Sequence, residues 1–565
     1  MDRRVVLAIL LMMAVAILPS MFLRPDRRTG GRADSVSAAR DTVATPAPAP
    51  VPVPVPDTLP VGPSARLPAE DTVRVASPLY RYDFSTRGAR LVDATFPTYR
   101  SMKKEDAKAP AQILYPGGDL LSLGLLVGRD TISFRDWAYT PSAETVDATA
   151  PSELTFTSER GAVGVSITYR FRPDDYRFEA RGTVRGLGAA GGSLLVGLGP
   201  GLRNTESDSV EHQRELGVVV KGPKAEITRF SKLKPGTPVA LNGPYEWVAV
   251  KSKYFVTAIL APDPTGGGLN GGIAGATAVA TDARSKSPLT AEILAGLPVP
   301  ASGEFRFQVY AGPMEYNRLR AIGHDFDDVN PYGWAWLRPI IRPVAIGGRW
   351  LLVWMHDKLG LAYGLGLIAF GILIRILLWP LNQKAMRSSM AMQAIQPHMK
   401  ALQEKHKEDP ARLQQEMFKL YKEHNVNPFG GCWPMLLPWP ILIALFFVFQ
   451  NTIELRGATF LWIPDLSRPD PIYIIPVLMG LSMYALTKIG QLGMEPNPQM
   501  KMMLYIMPGM MTFLFLNFAS GLNLYYTVMN LASLPQQWLL AKERVRRNPP
   551  APTKPPPPIP PKKRG

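Results

Sequence analysis

The stretch GILIRILLWPL, residues 371–381, places one arginine, Arg375, inside an otherwise apolar run of the chain. With the apolar residues that precede it from about residue 361, the run is long enough to cross a bilayer as a helix. A charged side chain inside a bilayer costs roughly 2.5 kcal/mol or more, so it is rare there and points to a function. This part of the chain is therefore predicted to be a membrane-spanning helix that carries a charge.

More apolar runs follow toward the C-terminus. They lie near residues 433–450, 471–488, 502–519 and 522–541. Together with the run at 361–381 they predict an α-helical polytopic membrane core of five spans, within residues 330–545. The segment 337–358 mixes arginines with a Trp/Leu face, which is typical of an amphipathic helix that lies on the outer membrane surface.

The N-terminal part of the chain has two segments of unusual composition. Residues 5–23 form an apolar run flanked by arginines, which predicts a transmembrane signal anchor over residues 1–24; a cleaved signal peptide is the alternative. Residues 25–75 are rich in proline and alanine, a composition that favours an extended tether.

Residues 76–320 show the alternation of β-strands. In SITYRFRPDDYRFEARGTV, residues 166–184, Ile167, Tyr169 and Phe171 share one face, a polar turn follows, and Phe178 and Ala180 lie on a returning strand. Repeated short segments of this kind predict a large extracytoplasmic all-β sandwich. HExxH, GxSxG and phosphate-binding glycine motifs are missing from its sequence, so a structural or binding role is favoured over an enzyme. A sugar-active pair of carboxylates stays open as an alternative.

Residues 382–427 are predicted to form a cytoplasmic helical hairpin, in which Asp409 and Pro410 begin the second helix. Its seam consists of apolar residues at helical spacing: Ile395, Met399, Leu402, Leu413, Met417, Leu420 and Tyr421. Residues 382–425 hold eight Lys/Arg against five Asp/Glu, and the chain after residue 540, which ends in a basic, proline-rich tail at 546–565, holds eight against one. The positive-inside rule places both segments, and both chain termini, in the cytoplasm, with the sandwich outside.

The net charge of +17 indicates anionic partners. Because the basic segments flank membrane spans, membrane lipids and ribosomal RNA are the expected partners, and a DNA-binding domain is not expected.

The environment of Arg375 suggests a wet cavity between the spans. None of the five C-terminal spans has an interior Asp or Glu, whereas amides are frequent: Gln450, Asn517, Asn523, Asn530, Gln536 and Gln537. Snorkelling of Arg375 to the interface and ordinary interhelical hydrogen bonding of the amides are the plainer alternatives. A proton relay or a redox site would need carboxylates, histidines or cysteines in the spans, and Cys432 is the only cysteine; no metal or other cofactor is expected.

Several long motifs resemble the YidC family of bacterial membrane protein insertases. These are LIRILLWPL (residues 373–381), NVNPFGGCWPMLLPWPILIALFFVFQNTIELRG (425–457), PDLSRPDPIYIIPVLMG (464–480) and GLNLYYTVMNL (521–531). The resemblance implies a five-helix core with a polar groove that receives nascent membrane proteins and releases their apolar segments into the bilayer. Groove residues are then expected at Arg375, Gln450, Asn523, Asn530 and Gln536, and apolar contacts of the departing client at Leu442, Met479, Phe513 and Tyr525.

The same resemblance implies the bacterial inner membrane as the location and a non-enzymatic chaperone role without cofactors. Its implied partners are nascent membrane proteins, the Sec translocon, membrane lipids, and the ribosome at the cytoplasmic hairpin and tail. Two other functions stay open on the sequence alone: a small-solute transporter, and a membrane-anchored glycan-binding envelope protein.

Overall fold

The structure is a computed structural model that describes residues 70–547, apart from 107–108, 188–190, 263–268, 270, 283–287, 334–335, 407–408, 425–438 and 494–497. The expected anchor at residues 1–24, most of the tether, Cys432 and nearly all of the basic tail lie outside the described residues.

Twenty strands make up the described part of the N-terminal half. They are β1 (Thr72–Ala76), β2 (Arg81–Ser85), β3 (Leu91–Arg100), β4 (Pro110–Gln112), β5 (Leu120–Val127), β6 (Asp130–Ser133), β7 (Thr140–Pro141), β8 (Thr145–Asp147), β9 (Ser152–Arg160), β10 (Val163–Phe171), β11 (Arg177–Arg185), β12 (Gly192–Leu198), β13 (Gly217–Lys221), β14 (Ala225–Arg229), β15 (Val239–Tyr245), β16 (Trp247–Lys251), β17 (Phe255–Leu260), β18 (Ile273–Ala280), β19 (Ala291–Val299) and β20 (Glu304–Pro313).

The strands form two sheets. One has the order β15-β18-β19-β12-β5-β3-β2-β1-β8, with β4 beside β3 and β6 beside β5; the other has the order β14-β13-β16-β17-β20-β11-β10-β9-β7. Their inner faces meet, since Phe84 of the first sheet contacts Tyr169 and Phe178 of the second at ring-centroid distances of 4.8 and 6.2 Å. The predicted β-sandwich is confirmed.

The β10–β11 hairpin shows why this sequence forms strands. Ile167 pairs with Gly182 and Tyr169 with Ala180. Ile167, Tyr169 and Phe171 are buried in the core, while the residues between them are more exposed. Alternation with a period of two thus places the apolar side chains on the face that the other sheet covers, as predicted.

Ten α-helices are described. They are α1 (Ser209–Glu215), α2 (Tyr316–Ile322), α3 (Arg338–Leu359), α4 (Tyr363–Ala394), α5 (Gln396–Lys405), α6 (Pro410–Glu423), α7 (Trp439–Asn451), α8 (Ile474–Gly490), α9 (Pro498–Phe515) and α10 (Ser520–Arg547).

The C-terminal helices pack in a defined order. Helix α4 packs on α10, α10 on α8, and α8 on α9, whereas α7 packs mainly on α3. Among the described residues, Tyr363–Gln383 is long and apolar enough to cross a membrane by itself, and Pro440–Asn451, Ile474–Gly490 and Met500–Phe515 are shorter apolar helices. The helical core is confirmed, and the count of five spans stays a prediction.

Helix α3 is amphipathic, as its sequence predicted. Ile341 and Leu352 are buried in the core, while Ile340, Trp350 and Trp354 are exposed on the other side. An exposed row of large apolar side chains with aromatic residues fits contact with a membrane surface. That location stays a prediction.

The first helix of the predicted hairpin is continuous with α4. Helix α4 continues to Ala394, well past the expected end of the span at residue 381. The added residues, NQKAMRSSMAMQA, are mostly good helix formers without glycine or proline, so nothing in them ends the helix. The second helix begins as predicted, with Pro410 in its first turn and the Asp409 carboxylate accepting from the Arg412 N–H at 3.0 Å.

Ion pairs join the β-domain to the outer ends of the helices. The Arg456 guanidinium, which follows α7, donates from Nε to both carboxylate oxygens of Glu206 at 2.8 and 3.1 Å, and from Nη1 to the Arg100 carbonyl at 2.7 Å. It also lies 5.8 Å from the ring centroids of Tyr254 and Phe255. The sandwich is therefore docked on the helical core.

Helix α3 is held in the same junction. Arg342 donates to Asp327 at 2.8 Å, and Arg338 donates to Asp328 at 3.2 Å. Arg349 forms an ion pair with Glu454, in the short 3₁₀ helix Ile453–Leu455 after α7. Helix α3 is thus tied both to the β-domain and to the helical core.

Candidate functional site

Arg375 lies in the middle of α4 and is buried, with 8% of its surface exposed. It is twelve residues after Tyr363, about 18 Å along the helix axis. A snorkelling side chain would place its guanidinium in solvent. The observed burial instead places this charge between α4 and its neighbour α10.

Gln536 of α10 is the hydrogen-bond partner of Arg375. The guanidinium donates from Nη2 to Gln536 Oε1 at 2.6 Å. The same amide donates from Nε2 to the Trp379 carbonyl of α4 at 3.1 Å. Gln536 is itself only 1% exposed, so the two contacts form an enclosed polar bridge between the helices.

No acidic side chain in the described part of the chain balances the charge of Arg375. A guanidinium has five N–H donors, and Nε of Arg375 is buried without a hydrogen-bond partner. Within the part of the chain that the structure describes, Arg375 forms no ion pair. Among the described residues, the guanidinium therefore keeps a buried Nε–H donor and a positive charge without an acidic partner.

Asn530 lies on the same helix as Gln536 but faces a different neighbour. Its Nδ2 donates to Ser482 Oγ of α8 at 3.0 Å. Helix α10 therefore presents polar groups to α4 near Arg375 and to α8 about two turns nearer the outer end.

Gln450 and Asn523 lie away from Arg375, near the outer ends of their helices. Asn523 is fully buried and donates from Nδ2 to the Phe515 carbonyl at 3.0 Å, where it caps the end of α9. It is thirteen residues before Gln536, or about 20 Å along α10. Gln450 precedes Asn451, which donates to the Pro331 carbonyl at 3.1 Å. The structure thus brings together Arg375 and Gln536, and places these two amides elsewhere.

The four residues expected to contact a departing client do not share one surface. Phe513 of α9 is 76% exposed, and Leu442 of α7 is partly buried. Met479 and Tyr525 are buried inside the helical core, where Tyr525 packs on Phe370 with ring centroids 5.8 Å apart. In this conformation Phe513 is accessible on the exposed side of α9. Met479 and Tyr525 are part of the packed helical core.

The two halves of the chain match two family models. Residues 72–345 match the YidC periplasmic domain, and residues 354–547 match the family described as 60Kd inner membrane protein. The chain is 32% identical to the membrane protein insertase YidC of Chlorobium phaeovibrioides, across 96% of this chain and 95% of that protein. The chain belongs to the YidC family.

The chain is also similar to two further YidC proteins. The insertase of Chlorobaculum tepidum is 30% identical over 95% of this chain and 94% of its own length. The crystal structure of an active YidC insertase, with its first transmembrane domain resolved, is 18% identical and covers 82% of this chain and 91% of that chain, with a TM-score of 0.34.

Membership in the YidC family establishes the main function. The protein is an inner-membrane protein insertase with a periplasmic β-domain, and nascent membrane proteins are its substrates. Its YidC relatives are named as insertases and not as enzymes. The transporter and the glycan-binding protein, which the sequence left open, are not favoured.

Sequence reasoning missed several buried polar residues of this YidC core. Asn382, Ser482, Thr527 and Ser533 are each 5–8% exposed. Thr527 donates to the Asn523 carbonyl and Ser533 to the Met529 carbonyl, both within α10. For Thr527 the spacing along α10 was a usable signal, because Asn523, Thr527 and Asn530 recur at helical intervals on one face.

Proposed function

We propose that the insertase receives the polar part of a nascent membrane protein at Arg375 and releases the client's apolar segment along the exposed side of the helical core. The observation that carries the proposal is a buried guanidinium whose side-chain partner is a neutral amide. Arg375 and Gln536 form the centre of the proposed groove, and Asn530 extends it toward α8.

Electrostatics gives the arginine its role. A buried charge without a counter-charge is costly, because desolvation is not offset by an ion pair. A carboxylate on a passing client would supply the missing partner, through charge-assisted bonds about twice as strong as neutral ones. Arg375 would therefore bind acidic segments transiently inside the membrane, where burial of a charge is otherwise unfavourable.

Release is proposed to follow from hydrophobic partitioning. The exposed apolar residues of α8 and α9 include Leu478, Leu481, Ile506 and Phe513. A client segment of about 20 apolar residues gains more from lipid than from the polar groove. We keep Leu442 and Phe513 as contacts of the departing segment, with Met479 and Tyr525 as the packed support behind them.

The proposed topology follows from charge. We infer that both termini and the α5–α6 hairpin lie in the cytoplasm, because basic residues flank the spans at those places. Residues 1–24 would be the anchor, 25–75 the tether, 76–320 the periplasmic domain, 330–545 the insertase core with its hairpin at 382–427, and 546–565 the tail.

The hairpin and the tail are proposed to meet the ribosome and anionic lipids. Helix α6 presents Arg412 and Lys419 to solvent beside Phe418, which is 60% exposed. Such a surface suits contact with a large anionic partner. Cooperation with the Sec translocon is part of the same proposal, since the exposed helix faces of the core can accept a neighbouring membrane protein.

Crosslinking can test the two halves of the proposal together. A stalled, ribosome-bound client carries a photoreactive residue either in its acidic segment or in its apolar segment. The acidic probe is expected to label α4 and α10 around Arg375, and the apolar probe to label α7 and α9 around Leu442 and Phe513. An acidic probe that labels only lipid or the β-domain would contradict the groove.

A further inference from the structure

The Gln536 amide occupies a position that a client carboxylate could take beside Arg375. Its Oε1 lies 2.6 Å from Arg375 Nη2, in a place where the guanidinium has no acidic partner among the described residues. We propose that Gln536 is a positioning residue: an uncharged internal substitute that satisfies the arginine between clients and gives way when an acidic segment arrives. This inference rests on the proposed function of Arg375.

The hydrogen bonds fix which way the amide points. Arginine only donates and a backbone carbonyl only accepts, so the amide oxygen must face Arg375 and the amide nitrogen must face the Trp379 carbonyl. The reversed amide would place donor against donor and acceptor against acceptor. Trp379 is on the same helix as Arg375, so the bond to its carbonyl holds the Gln536 amide with its oxygen toward the guanidinium.

The neutrality of Gln536 makes the contact reversible. A bond to a neutral amide is weaker than a bond to a carboxylate, so an acidic client can replace it. A glutamate at this position would be a permanent competitor, because a group attached to the protein has a high effective concentration. Gln536→Glu should therefore close the site to acidic clients without changing the size of the side chain.

The neighbouring amide offers a matched control. Gln537 is one residue further along α10, and its side-chain oxygen lies beside Gly490 of α8. Successive residues of a helix differ in direction by about 100°. Gln537→Glu thus adds the same charge at the same depth but aims it at α8, away from Arg375.

The experiment compares wild type, Arg375→Ala, Gln536→Glu and Gln537→Glu in proteoliposomes, with one acidic and one neutral client. Gln536→Glu is expected to lower insertion of the acidic client about tenfold, since one added charge-assisted bond is worth roughly that factor. It should affect the neutral client much less. Gln537→Glu should reduce both clients to a similar extent or neither.

Thermal unfolding of the purified full-length variants separates pairing from misfolding. A new carboxylate beside the buried cation should offset the lost bond to the Trp379 carbonyl and keep the melting temperature of Gln536→Glu near that of wild type, whereas the new carboxylate of Gln537→Glu faces α8 and leaves the Arg375 contact as it is. A lower melting temperature for Gln536→Glu, with equal loss of both clients, would overturn the inference.

The two proposals fail in different ways. If Arg375→Ala loses the acidic client while Gln536→Glu inserts it as well as wild type, the role of Gln536 is wrong and the groove stands. If Arg375→Ala itself inserts the acidic client normally, the proposed function fails, and the role of Gln536 fails with it.

Discussion

Two regions of the molecule treat a buried arginine in opposite ways. At the junction and in the β-domain, each buried arginine has an acid: Arg349 pairs with Glu454, and Arg90 pairs with Glu70 and Asp119. In the membrane core, Arg375 is buried to a similar degree but contacts a neutral amide. Unpaired Nε atoms occur in both regions, at Arg349 as well as at Arg375. The two environments therefore differ in the partner, which is a carboxylate for Arg349 and an amide for Arg375.

Under the proposed function, this difference separates arginines that support the structure from the arginine that receives clients. An arginine that is neutralised and fully enclosed fixes two elements against each other, and it has little capacity for a further ligand. An arginine held by an amide keeps its charge available. The junction is therefore expected to respond to mutation through stability, and Arg375 through the choice of clients.

The largest expected effect on stability is at the junction. Arg456→Ala would leave Glu206 without its cation, and the loss of one partner from a buried pair costs about 3 kcal/mol or more in the free energy of unfolding. Denaturant unfolding of the purified protein in detergent measures this. Arg74→Ala is the matched control, since Arg74 pairs with Asp83 but its side chain is 63% exposed, and it should change the free energy by less than about 0.5 kcal/mol.

If the two arginine variants are equally stable, the junction does not depend on its buried pair. A change in the ratio of acidic to neutral clients inserted by Arg456→Ala would also count against the separation of support from function.

His212 sharpens the comparison, because a histidine can lose its proton and an arginine cannot. Burial lowers the pKa of His212 to about 4, and the ring contacts the Leu202 carbonyl at 3.2 Å. Since the unfolded chain has the higher pKa, near 6.5, it binds the proton first as pH falls. The free energy of unfolding should be unaffected above pH 6.5 and should lose about 3 kcal/mol by pH 4 from this group.

The measurement is hydrogen exchange of α1 and β13 in the full-length protein at pH values from 7 to 4, corrected for the intrinsic exchange rate. His212→Gln keeps a donor for Leu202 but has no proton to gain, so it should lose less stability than wild type over this range. Equal acid sensitivity of the two proteins would show that His212 does not control this region.

The smallest expected effect concerns a membrane polar group that already has its partner. Ser482→Ala removes the acceptor of Asn530, and hydrogen bonds between membrane helices are worth about 0.6 kcal/mol on average. Ser533→Ala is the control, because its hydroxyl donates within its own helix. Unfolding in detergent should show a small difference, and neither variant should change client choice. If Ser482→Ala selectively lost insertion of acidic clients, the client-binding site would be centred nearer α8 than proposed.

Local patterns predicted the elements of the fold well. The alternation of Ile167, Tyr169 and Phe171 gave the correct strand face, and Asp409 with Pro410 gave the correct start of α6. Both features depend on a few neighbouring residues, so the local sequence is sufficient to predict them. The span predicted at 361–381 agrees with the apolar segment Tyr363–Gln383, and the helix itself extends to Ala394 because helix-forming residues continue past the apolar run.

The partners across the fold could not be predicted. Arg456 and Glu206 are 250 residues apart, and nothing local connects them. Arg375 was recognisable as unusual, but the choice of Gln536 over Gln537 depends on how α10 turns toward α4. Gln450 and Asn523 were grouped with Arg375 by residue type, although their depth along the helices places them near the outer ends.

Insertion of one acidic and one neutral client by Arg375→Ala and Arg375→Lys, at matched expression, addresses the role of the unpaired charge itself. Arg375→Ala is expected to lower insertion of the acidic client about tenfold, equal to the loss of one charge-assisted interaction, with a much smaller effect on the neutral client. Arg375→Lys keeps the charge and should retain most of the activity. If Arg375→Ala inserts both clients as well as wild type, the buried charge is not what receives the client, and the contrast between the two arginine environments has no functional meaning.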